Sequence, residues 1–386
     1  MRVSCRPSLR ATRATALLSL AGAAVTAVNS CTIPRLRARR VVEPVTVVVP
    51  ARNEESRVGD LIADLRNQTL LDTLRVIVLD DDSSDGTAAV ATSAFAGDSR
   101  FALVRGEGPP PGWLGKNAAC HVGATHAARL MDPGRPGVLI FLDADVRLAP
   151  DALAAAVTEL RESGADLVSP WPRQDAVTPA ERLIQPLLCW SWFSTLPVPV
   201  ANRSTRPSTV VACGQFLVFD AAAYYRLGGH TVVAGSHTED LDIARAVRRR
   251  GGRTVVAVAQ DRAHCRMYTD ATALREGYTR WLWTAFGSPA GAAVVTTVAA
   301  ATCAIAPLAM LFGRGRTRAW GAAGYLAATA SRVTARAVES GSAPRGRDVA
   351  DAAAHPLSIG AFVRLVAVSH RDRRRRRLQW KGRQLT

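Results

Sequence analysis

The sequence predicts one large α/β domain over residues 41–283, followed by membrane helices over residues 284–370. Short β-branched runs alternate along the domain with longer helical patterns, and each run ends in polar or Gly/Pro residues, as in an α/β fold. A second observation indicates the membrane region. Residues 281–313 are 33 residues in a row without charge, more than the roughly 20 that cross a bilayer as a helix.

The elements of the domain are predicted in a regular order. Strands are expected at residues 45–49, 75–79, 101–104 and 138–142, and helices at residues 54–67, 85–95 and 116–131. The run at 138–142 is continuously apolar, which is typical of a parallel strand that is buried on both faces. These runs predict an open sheet with helical connections.

Membrane segments are predicted at both ends of the chain. Residues 1–40 contain an apolar stretch at 14–34 with basic flanks, which fits a membrane anchor, a signal peptide or a loosely attached helix. Near the C-terminus, crossings are expected at 286–312 and 317–338, with 356–370 lying in the interface as an amphipathic segment. A single span with an exported tail is the alternative.

The chain is strongly basic, with 49 Lys plus Arg against 32 Asp plus Glu. Much of the excess lies beside apolar segments, in residues 2–13, 35–40 and 371–383, which favours an anionic membrane surface over nucleic acid as the partner. The α/β domain and the basic tail at 371–386 are then expected on the cytoplasmic side. The seven cysteines are scattered without metal-ligand spacing, which indicates reduced thiols.

Three polar clusters follow predicted strands. Residues 50–54 (Pro-Ala-Arg-Asn-Glu) come after the first strand, residues 80–82 (three Asp) after the second, and residues 143–145 (Asp-Ala-Asp) after the fourth. Ligands of open α/β sheets bind in the crevice beyond the carboxyl ends of the strands. The clusters therefore predict a single site along one edge of the sheet.

Asp143 and Asp145 are the candidate metal ligands. Carboxylates one residue apart at a strand end can both reach one hard cation, and a divalent ion there would bridge diphosphate oxygens. The alternative is a loop of solvated acids, with Asp151 capping the next helix.

The segment from Asp80 to Asp85 places four carboxylates in six residues. Their mutual repulsion requires donors, which a nucleobase N–H or a ribose hydroxyl would supply, and Asp81 is the candidate for the nucleobase. The alternative is a helix cap by Ser84 or Asp85 with surplus surface charge.

Two further candidates stand at predicted helix starts. Lys116 follows a Gly/Pro-bounded loop, where its ammonium and backbone N–H groups would face an anion; an ordinary exposed lysine is an equal alternative. Asp240, in Thr238-Glu239-Asp240-Leu241-Asp242, is the candidate general base for an acceptor hydroxyl. A capping box at Thr238 is the alternative there.

Aromatic residues suggest where the chain meets lipid. Trp281 and Trp283 precede the long uncharged stretch, and Trp190, Trp192 and Phe193 lie in an apolar stretch at 183–196. Such residues favour the membrane interface, and core packing is the alternative for the last two. An interfacial stretch would suit a hydrophobic acceptor.

In this order, the motifs resemble glycosyltransferase family 2, whose GT-A nucleotide-diphospho-sugar transferase fold has a Rossmann-like mixed sheet. The resemblance covers residues 45–283 and rests on Val49-Pro50-Ala51-Arg52-Asn53-Glu54-Glu55, Leu79-Asp80-Asp81-Asp82-Ser83-Ser84-Asp85-Gly86-Thr87, Phe141-Leu142-Asp143-Ala144-Asp145 and Thr238-Glu239-Asp240-Leu241. Further segments resemble the carotenoid-acid glucosyltransferase subgroup: Gly112-Trp113-Leu114-Gly115-Lys116, Leu227-Gly228-Gly229-His230, Arg266-Met267-Tyr268 and Glu276-Gly277-Tyr278-Thr279-Arg280-Trp281.

The resemblance implies a role for each matching residue. Pro50, Ala51, Arg52, Glu54 and Asp81 would hold the nucleoside side of a donor, Lys116, Asp143 and Ala144 its diphosphate, Asp143 and Asp145 a Mg²⁺ or Mn²⁺ ion, and Asp240 with Glu239 the catalytic position. It also implies inverting transfer of a hexose from a UDP-linked donor to a lipid-like acceptor such as a carotenoid.

The chain departs from the family pattern at one motif. Gly277 stands where processive polysaccharide synthases carry the Gln of Gln-x-x-Arg-Trp, ahead of Arg280-Trp281, which argues for single transfer. The tail Trp380-Lys381-Gly382-Arg383 resembles membrane lipid glucosyltransferases, so ceramide-like and sterol-like acceptors stay open. The rival functions are a polyprenyl-phosphate or polysaccharide glycosyltransferase and a non-enzymatic basic membrane-binding protein.

Overall fold

The computed structural model describes residues 7–380 and 383–384, and within them the chain forms two compact units. The sheet unit consists of Ile33–Gln174 and Val198–Arg266. The helical unit consists of the described residues before Ile33, the segment Asp175–Pro197 and the described residues from Met267 onward. Residues 175–197 and 267–283, which the sequence analysis included in the α/β domain, therefore lie in the helical unit.

Eight strands form one sheet in the sheet unit. They are β1 (Val45–Ala51), β2 (Leu74–Asp81), β3 (Phe101–Gly106), β4 (Val138–Leu142), β5 (Val146–Leu148), β6 (Leu167–Gln174), β7 (Phe216–Asp220) and β8 (Thr254–Cys265). Their order across the sheet is β3-β2-β1-β4-β7-β6-β8-β5. The first four strands share one direction, whereas β7 is antiparallel to β4 and β6. The predicted mixed sheet of an α/β fold is confirmed.

The helices of the described residues are distributed over both units. They are α1 (Leu9–Thr32), α2 (Val58–Arg66), α3 (Thr87–Phe95), α4 (Gly115–Leu130), α5 (Ala152–Ser163), α6 (Pro179–Ile184), α7 (Pro186–Phe193), α8 (Val198–Ala201), α9 (Ala221–Leu227), α10 (Glu239–Arg249), α11 (Ala271–Trp281), α12 (Pro289–Phe312), α13 (Arg316–Ser340), α14 (Gly346–Ala353) and α15 (His355–Arg374). Two 3₁₀ turns, Pro207–Thr209 and Gly229–Val233, and a short antiparallel pair, β9 (Gln379–Trp380) with β10 (Arg383–Gln384), complete the secondary structure.

The predicted strands match β1 to β4, but two predicted helices begin too early. The helix predicted from residue 54 begins at Val58, because Glu54 lies in a turn and its N–H donates to Thr87 Oγ1 at 2.8 Å. The helix predicted from residue 85 begins at Thr87, whose N–H donates to the Asp85 carboxylate at 3.0 Å. In both places side chains compete with the first helical turn for backbone donors.

The core lies on both faces of the sheet because successive strand residues point to opposite sides. In β4, Val138 and Ile140 pack in the cluster that includes helices α2 and α5, and Leu139 and Phe141 pack in the cluster that includes α4, α9 and α10. Helix α4 approaches the sheet closely at Gly123, where any side chain would collide with Val48 of β1. This packing sets the position of the N-terminal end of α4 relative to the strand ends.

The helical unit is built around α1, α12 and α13, which pack together. The Thr26 and Ser331 hydroxyls form a hydrogen bond of 2.7 Å, and the Asn29 side-chain amide donates to the carbonyls of Phe193 and Leu196 at 2.8 Å each. Helix α1 is therefore an integral part of this unit, which does not fit the loosely attached helix. Phe193 is fully buried, as the packing alternative predicted.

Among the described residues, two helices are long and apolar enough to cross a membrane, namely α1 and α12. The pair α14 and α15, bent by 59°, is a third candidate if it counts as one span. The crossing predicted at 317–338 is helical but does not belong to this set, because Arg318, Arg332 and Arg336 lower its hydropathy. Residues 1–6, 381–382 and 385–386, which include part of both basic ends and Cys5, lie outside the described residues.

Candidate active site

The carboxyl ends of β1, β2 and β4 lie side by side at one edge of the sheet, here called the carboxyl edge. Ala51, the last residue of β1, is opposite Asp80 of β2, and β4 is the other neighbour of β1. Asp81 ends β2, and Asp143 directly follows β4. The prediction that the three polar clusters meet at one edge is confirmed.

Arg52 holds the loop after β2 against the end of β1. Its Nη1 donates to the carbonyl oxygens of Asp81 at 2.6 Å and Asp82 at 2.7 Å. Arg52 therefore stabilises the conformation of the loop after β2 at the carboxyl edge. Direct contact of Arg52 with a donor stays a prediction.

Backbone N–H groups of the loop after β2 donate to Asp80 and Asp85. The Ser83 N–H donates to Asp80 at 3.2 Å, and the Thr87 N–H donates to Asp85 at 3.0 Å. The N-cap of α3 is Gly86 rather than Ser84 or Asp85, although Asp85 still accepts the first N–H of the helix. Asp81 is buried, with 4% of its surface exposed, and its contact with a nucleobase stays a prediction.

Lys116 joins two acids that are far apart in the sequence. Its Nζ lies 2.7 Å from Asp143 Oδ1 and 2.9 Å from Glu239 Oε1. Burial disfavours the charged lysine, but the two carboxylates outweigh it and raise the pKa of Lys116 well above its usual range. Burial tends to raise the pKa of Glu239, but the charge of Lys116 outweighs burial and lowers this pKa. Lys116 is therefore not a solvated surface lysine but the positive centre of the carboxyl edge.

Gly214, shortly before β7, has no side chain, so Lys116, Glu239 and Asp240 can lie close to one another around it. A Cβ atom at this position would lie 3.0 Å from Lys116 Nζ, 3.0 Å from Glu239 Oε1 and 3.3 Å from Asp240 Cβ. The next residue, Gln215, accepts the Asp143 N–H at 3.1 Å through its carbonyl oxygen. Sequence reasoning missed both residues, because nothing local indicates that β7 lies next to β4.

Asp240 is held by backbone donors on both carboxylate oxygens. The Gly214 N–H donates to Oδ2 and the Leu241 N–H donates to Oδ1, each at 2.8 Å. Burial and the charge of Glu239 raise the pKa of Asp240 to about 7. A carboxylate with such a pKa can accept a proton near neutral pH.

Asp145 has an oxygen that the protein does not satisfy. Its Oδ1 is buried without a hydrogen-bond partner, and its Oδ2 lies 3.9 Å from Arg57. Burial and the charges of Asp143 and Glu54 raise the pKa of Asp145 to about 6. An unsatisfied buried carboxylate oxygen is costly, and a cation would satisfy it.

The carboxylates of Asp143 and Asp145 are suited to a hard divalent ion that takes its other ligands from a bound phosphate. Among the residues that the structure describes, no three His, Cys, Asp or Glu side chains form a ready metal cluster. Mg²⁺ is commonly bound by one or two carboxylates together with phosphate oxygens, without a complete protein cage. Asp145 and Asp143 match this two-carboxylate pattern.

Two capping alternatives from the sequence are wrong. Asp151 occupies the N-cap of α5, but its side chain makes no capping bond and pairs instead with Arg262 at 3.0 Å. Thr238 at the start of α10 makes no side-chain capping bond either, while Ser236 Oγ donates to Asp242 at 2.6 Å. The acids at the start of α10 are therefore not explained by a capping box.

The cysteines of the described residues form no disulfide, as the sequence predicted. The six are Cys31, Cys120, Cys189, Cys213, Cys265 and Cys303. Burial, with the nearby Asp145 charge, raises the pKa of Cys265 well above its usual range, so it stays a neutral thiol. Gln215 Nε2 donates to its sulfur at 2.9 Å.

Two family patterns match the chain. The pattern of "Glycosyl transferase family 2" matches residues 46–228, and that of "Glycosyl transferase family group 2" matches residues 138–331. The protein belongs to glycosyltransferase family 2. Its mixed sheet with helices on both faces has the GT-A fold that the sequence predicted.

The chain is similar to curated proteins of the subgroup that its sequence resembles. It is 29% identical over 250 residues to 4,4'-diaponeurosporenoate glycosyltransferase of Staphylococcus aureus, covering 63% of this chain and 61% of the relative. To the Staphylococcus haemolyticus protein of the same name it is 28% identical over 209 residues, covering 54% and 52%. The chain thus spans between half and about three fifths of the length of these relatives.

Among solved structures, the chain is similar to mannosyltransferase PcManGT from Pyrobaculum calidifontis in complex with GDP-Man and Mn²⁺. The two are 19% identical, with a TM-score of 0.47 over 93% of this chain and 96% of that one.

Replacing Gly214 with alanine is expected to lower the rate of transfer by about a hundredfold, because the added methyl group displaces Lys116, Glu239 and Asp240 from their mutual contacts. The temperature of unfolding should change little, since the two nearest atoms, Lys116 Nζ and Glu239 Oε1, are the ends of flexible side chains and not backbone. The measurement is turnover in membranes beside thermal unfolding in detergent. Gly134→Ala, in a loop without close contacts, is the control; equal activity of the two variants would contradict the expectation.

Proposed function

We propose that this glycosyltransferase is an inverting, metal-dependent enzyme that moves a hexose from a UDP-linked donor to a lipid-like acceptor in the membrane, such as a carotenoid. The observation that carries the proposal is the Lys116 bridge between Asp143 and Glu239, with Asp240 beside it at Gly214. This arrangement combines a positive centre with two carboxylates of raised pKa, Asp145 and Asp240.

The nucleoside half of the donor is assigned to the ends of β1 and β2. Pro50, Ala51, Glu54 and Asp81 lie on these neighbouring strand ends or directly after them. The carboxyl edge of an open α/β sheet is where such folds bind nucleotides. Arg52 supports this half by holding the loop after β2 in place.

The diphosphate half is assigned to Asp143, Ala144, Asp145 and Lys116. Carboxylates outnumber basic side chains at this edge, so a diphosphate would be repelled unless further positive charge came with it. Asp145 and Asp143 are the residues that would hold a Mg²⁺ or Mn²⁺ ion, which would neutralise the diphosphate and stabilise it as a leaving group. Lys116 would turn from its two acids towards the same phosphate oxygens.

The acceptor is activated by Asp240 in this proposal. Its carboxylate takes the proton of an acceptor hydroxyl while the hydroxyl oxygen bonds to the anomeric carbon and the bond to the leaving nucleoside diphosphate breaks. A single displacement of this kind inverts the anomeric centre. Glu239 contributes by positioning Lys116 at the carboxyl edge before the donor binds.

A lipid-like acceptor and single transfer are supported by features of the helical unit. Gly277 carries no side chain where processive synthases have Gln, and any side chain there would collide with the ring of Tyr268. Helices α1 and α12 expose large apolar side chains, such as Leu18 and Val294, of the kind that face lipid. The relatives in Staphylococcus are named for diaponeurosporenoate.

The chain is then organised as a multi-pass membrane protein with its catalytic domain in the cytoplasm, where nucleotide sugars are made. Residues 1–40 would form an N-terminal membrane segment, 41–283 the catalytic domain, 284–370 a membrane region and 371–386 a basic cytoplasmic tail. The excess of arginine in residues 371–377 supports this orientation.

The function is tested by incubating membranes that contain the full chain with labelled UDP-hexoses and identifying the labelled product by mass. A labelled membrane lipid with one added hexose is expected. Label that appears only in a polymer or in polyprenyl phosphate would refute the acceptor class.

Asp240→Asn is expected to reduce transfer by at least about a hundredfold, because the amide cannot take the acceptor proton. Donor affinity, measured by calorimetry with UDP, should stay within about twofold of the unmodified protein. Asp242→Asn, on the same helix, is the matched control and should keep its turnover. Retained turnover in Asp240→Asn would remove the base and favour an acceptor that is already ionised, such as a polyprenyl phosphate.

The rate of transfer is expected to rise with pH through about 7 and to level off above it, because only the ionised form of Asp240 accepts a proton and its pKa is about 7. The measurement is turnover at saturating donor and metal between about pH 5.5 and about 8.5. Asp242→Asn should retain the rise. A flat profile would contradict the role of Asp240.

Asp145→Asn is expected to weaken binding of Mn²⁺ in the presence of UDP by more than about tenfold, because a charged ligand oxygen is lost. The ion itself is measured, by the paramagnetic resonance signal of free Mn²⁺. Asp60→Asn, an exposed acid that pairs with Arg147, is the control. Unchanged Mn²⁺ affinity would exclude Asp145 as a ligand.

A further inference from the structure

The helical unit contains a cleft whose charged lining the proposed transfer does not use. This arginine cleft lies between α6, α13 and α14 and is lined by Ala176, Arg182, Pro186, Arg332, Arg336, Arg347, Asp348, Asp351 and Ala352. The cleft and the carboxyl edge share no residue.

Most of the charges in the arginine cleft have partners within the protein. Arg182 binds both oxygens of Asp351, at 2.8 and 2.5 Å. Arg336 binds Glu339 at 2.7 Å. Asp348 accepts the backbone N–H of Arg345 at 2.8 Å. These contacts fix the walls of the cleft.

Arg332 differs from these residues because its partners are neutral. Arg332 is 4% exposed, and its Nη1 donates to Ser358 Oγ at 2.8 Å and lies 3.3 Å from His355 Nδ1. Within the described residues, no carboxylate forms an ion pair with Arg332 or with Arg347, which lies at the exposed side of the cleft. Asp351 attracts Arg332 from beyond ion-pair distance, and both of its oxygens are bound by Arg182. A buried cation without a close counter-ion is costly, so the cleft is suited to an anion.

The surroundings of the arginine cleft favour an anion that carries an apolar chain. Leu357, one residue before Ser358, is 69% exposed, and Val349, in the same helix as Asp348, is 47% exposed. Helices α14 and α15 together are apolar enough to count as a bent membrane span. A small soluble anion would leave these side chains in water.

We propose that the arginine cleft binds the anionic headgroup of a membrane lipid, a phosphate or a carboxylate, with Arg332 and Arg347 as its charged ligands. Arginine pairs with both groups through charge-assisted, often bidentate hydrogen bonds. Such a lipid stabilises the helical unit without taking part in the reaction.

The proposal is tested on the purified full chain in a neutral detergent by its thermal unfolding, since a ligand that binds the folded state raises the unfolding temperature with its concentration. The probes are dihexanoyl phosphatidic acid, dihexanoyl phosphatidylcholine and inorganic phosphate. We expect a saturable rise with phosphatidic acid and little change with the other two. An equal response to phosphatidylcholine or to free phosphate would overturn the proposal.

Two variants assign the effect to the arginine cleft. Arg347→Ala removes an exposed side chain on which the fold does not rely, and Arg332→Met removes the buried charge while keeping the length of the side chain. Each should weaken the apparent affinity for phosphatidic acid by about tenfold, and Arg316→Ala, an exposed arginine on the same helix as Arg332, should not. If Arg332→Met does not fold, Arg347→Ala decides alone, and unchanged affinity in Arg347→Ala would refute the site.

Discussion

The carboxyl edge of the sheet depends on one ammonium group. Lys116 at the start of α4 binds Asp143 after β4 and Glu239 at the start of α10, so it connects three segments that are far apart in the sequence. Without it, these carboxylates would repel each other and the neighbouring Asp145 and Asp240 at short range in a partly shielded site. Lys116 thus acts as the resident counter-ion of an acidic site that must stay assembled before its ligands arrive.

The first half of the site was predictable from sequence because it is local. The β-branched run of β1 and the apolar run of β4 predict strands. Parallel strands then bring the residues that follow them to one edge of the sheet. Asp81, Asp143 and Asp145 could be placed on this basis. The second half could not, since Gly214 and Gln215 reach the site only because β7 inserts beside β4 in the opposite direction.

Elsewhere the sequence was limited by tertiary partners that no local pattern reveals. The apolar character of residues 317–338 suggested a membrane span, but α13 carries Arg332, Arg336 and Glu339, whose contacts lie within the helical unit. The helix starts at Val58 and Thr87 were likewise shifted, because side chains accept the backbone N–H groups of Glu54 and Thr87. Local patterns do not reveal the division into two units either, because it depends on which distant segments pack together.

Because the two units are discontinuous in sequence, their segments are synthesised in alternation. When the ribosome has completed β6, the chain next delivers Asp175–Pro197, which belongs to the helical unit, and only then β7 and β8. Until β7 emerges, β4 in the nascent chain has an open edge that can pair with other chains. Gly214 and Asp240 also lie beyond this interruption, so the carboxyl edge can be completed only after Asp175–Pro197 has been synthesised.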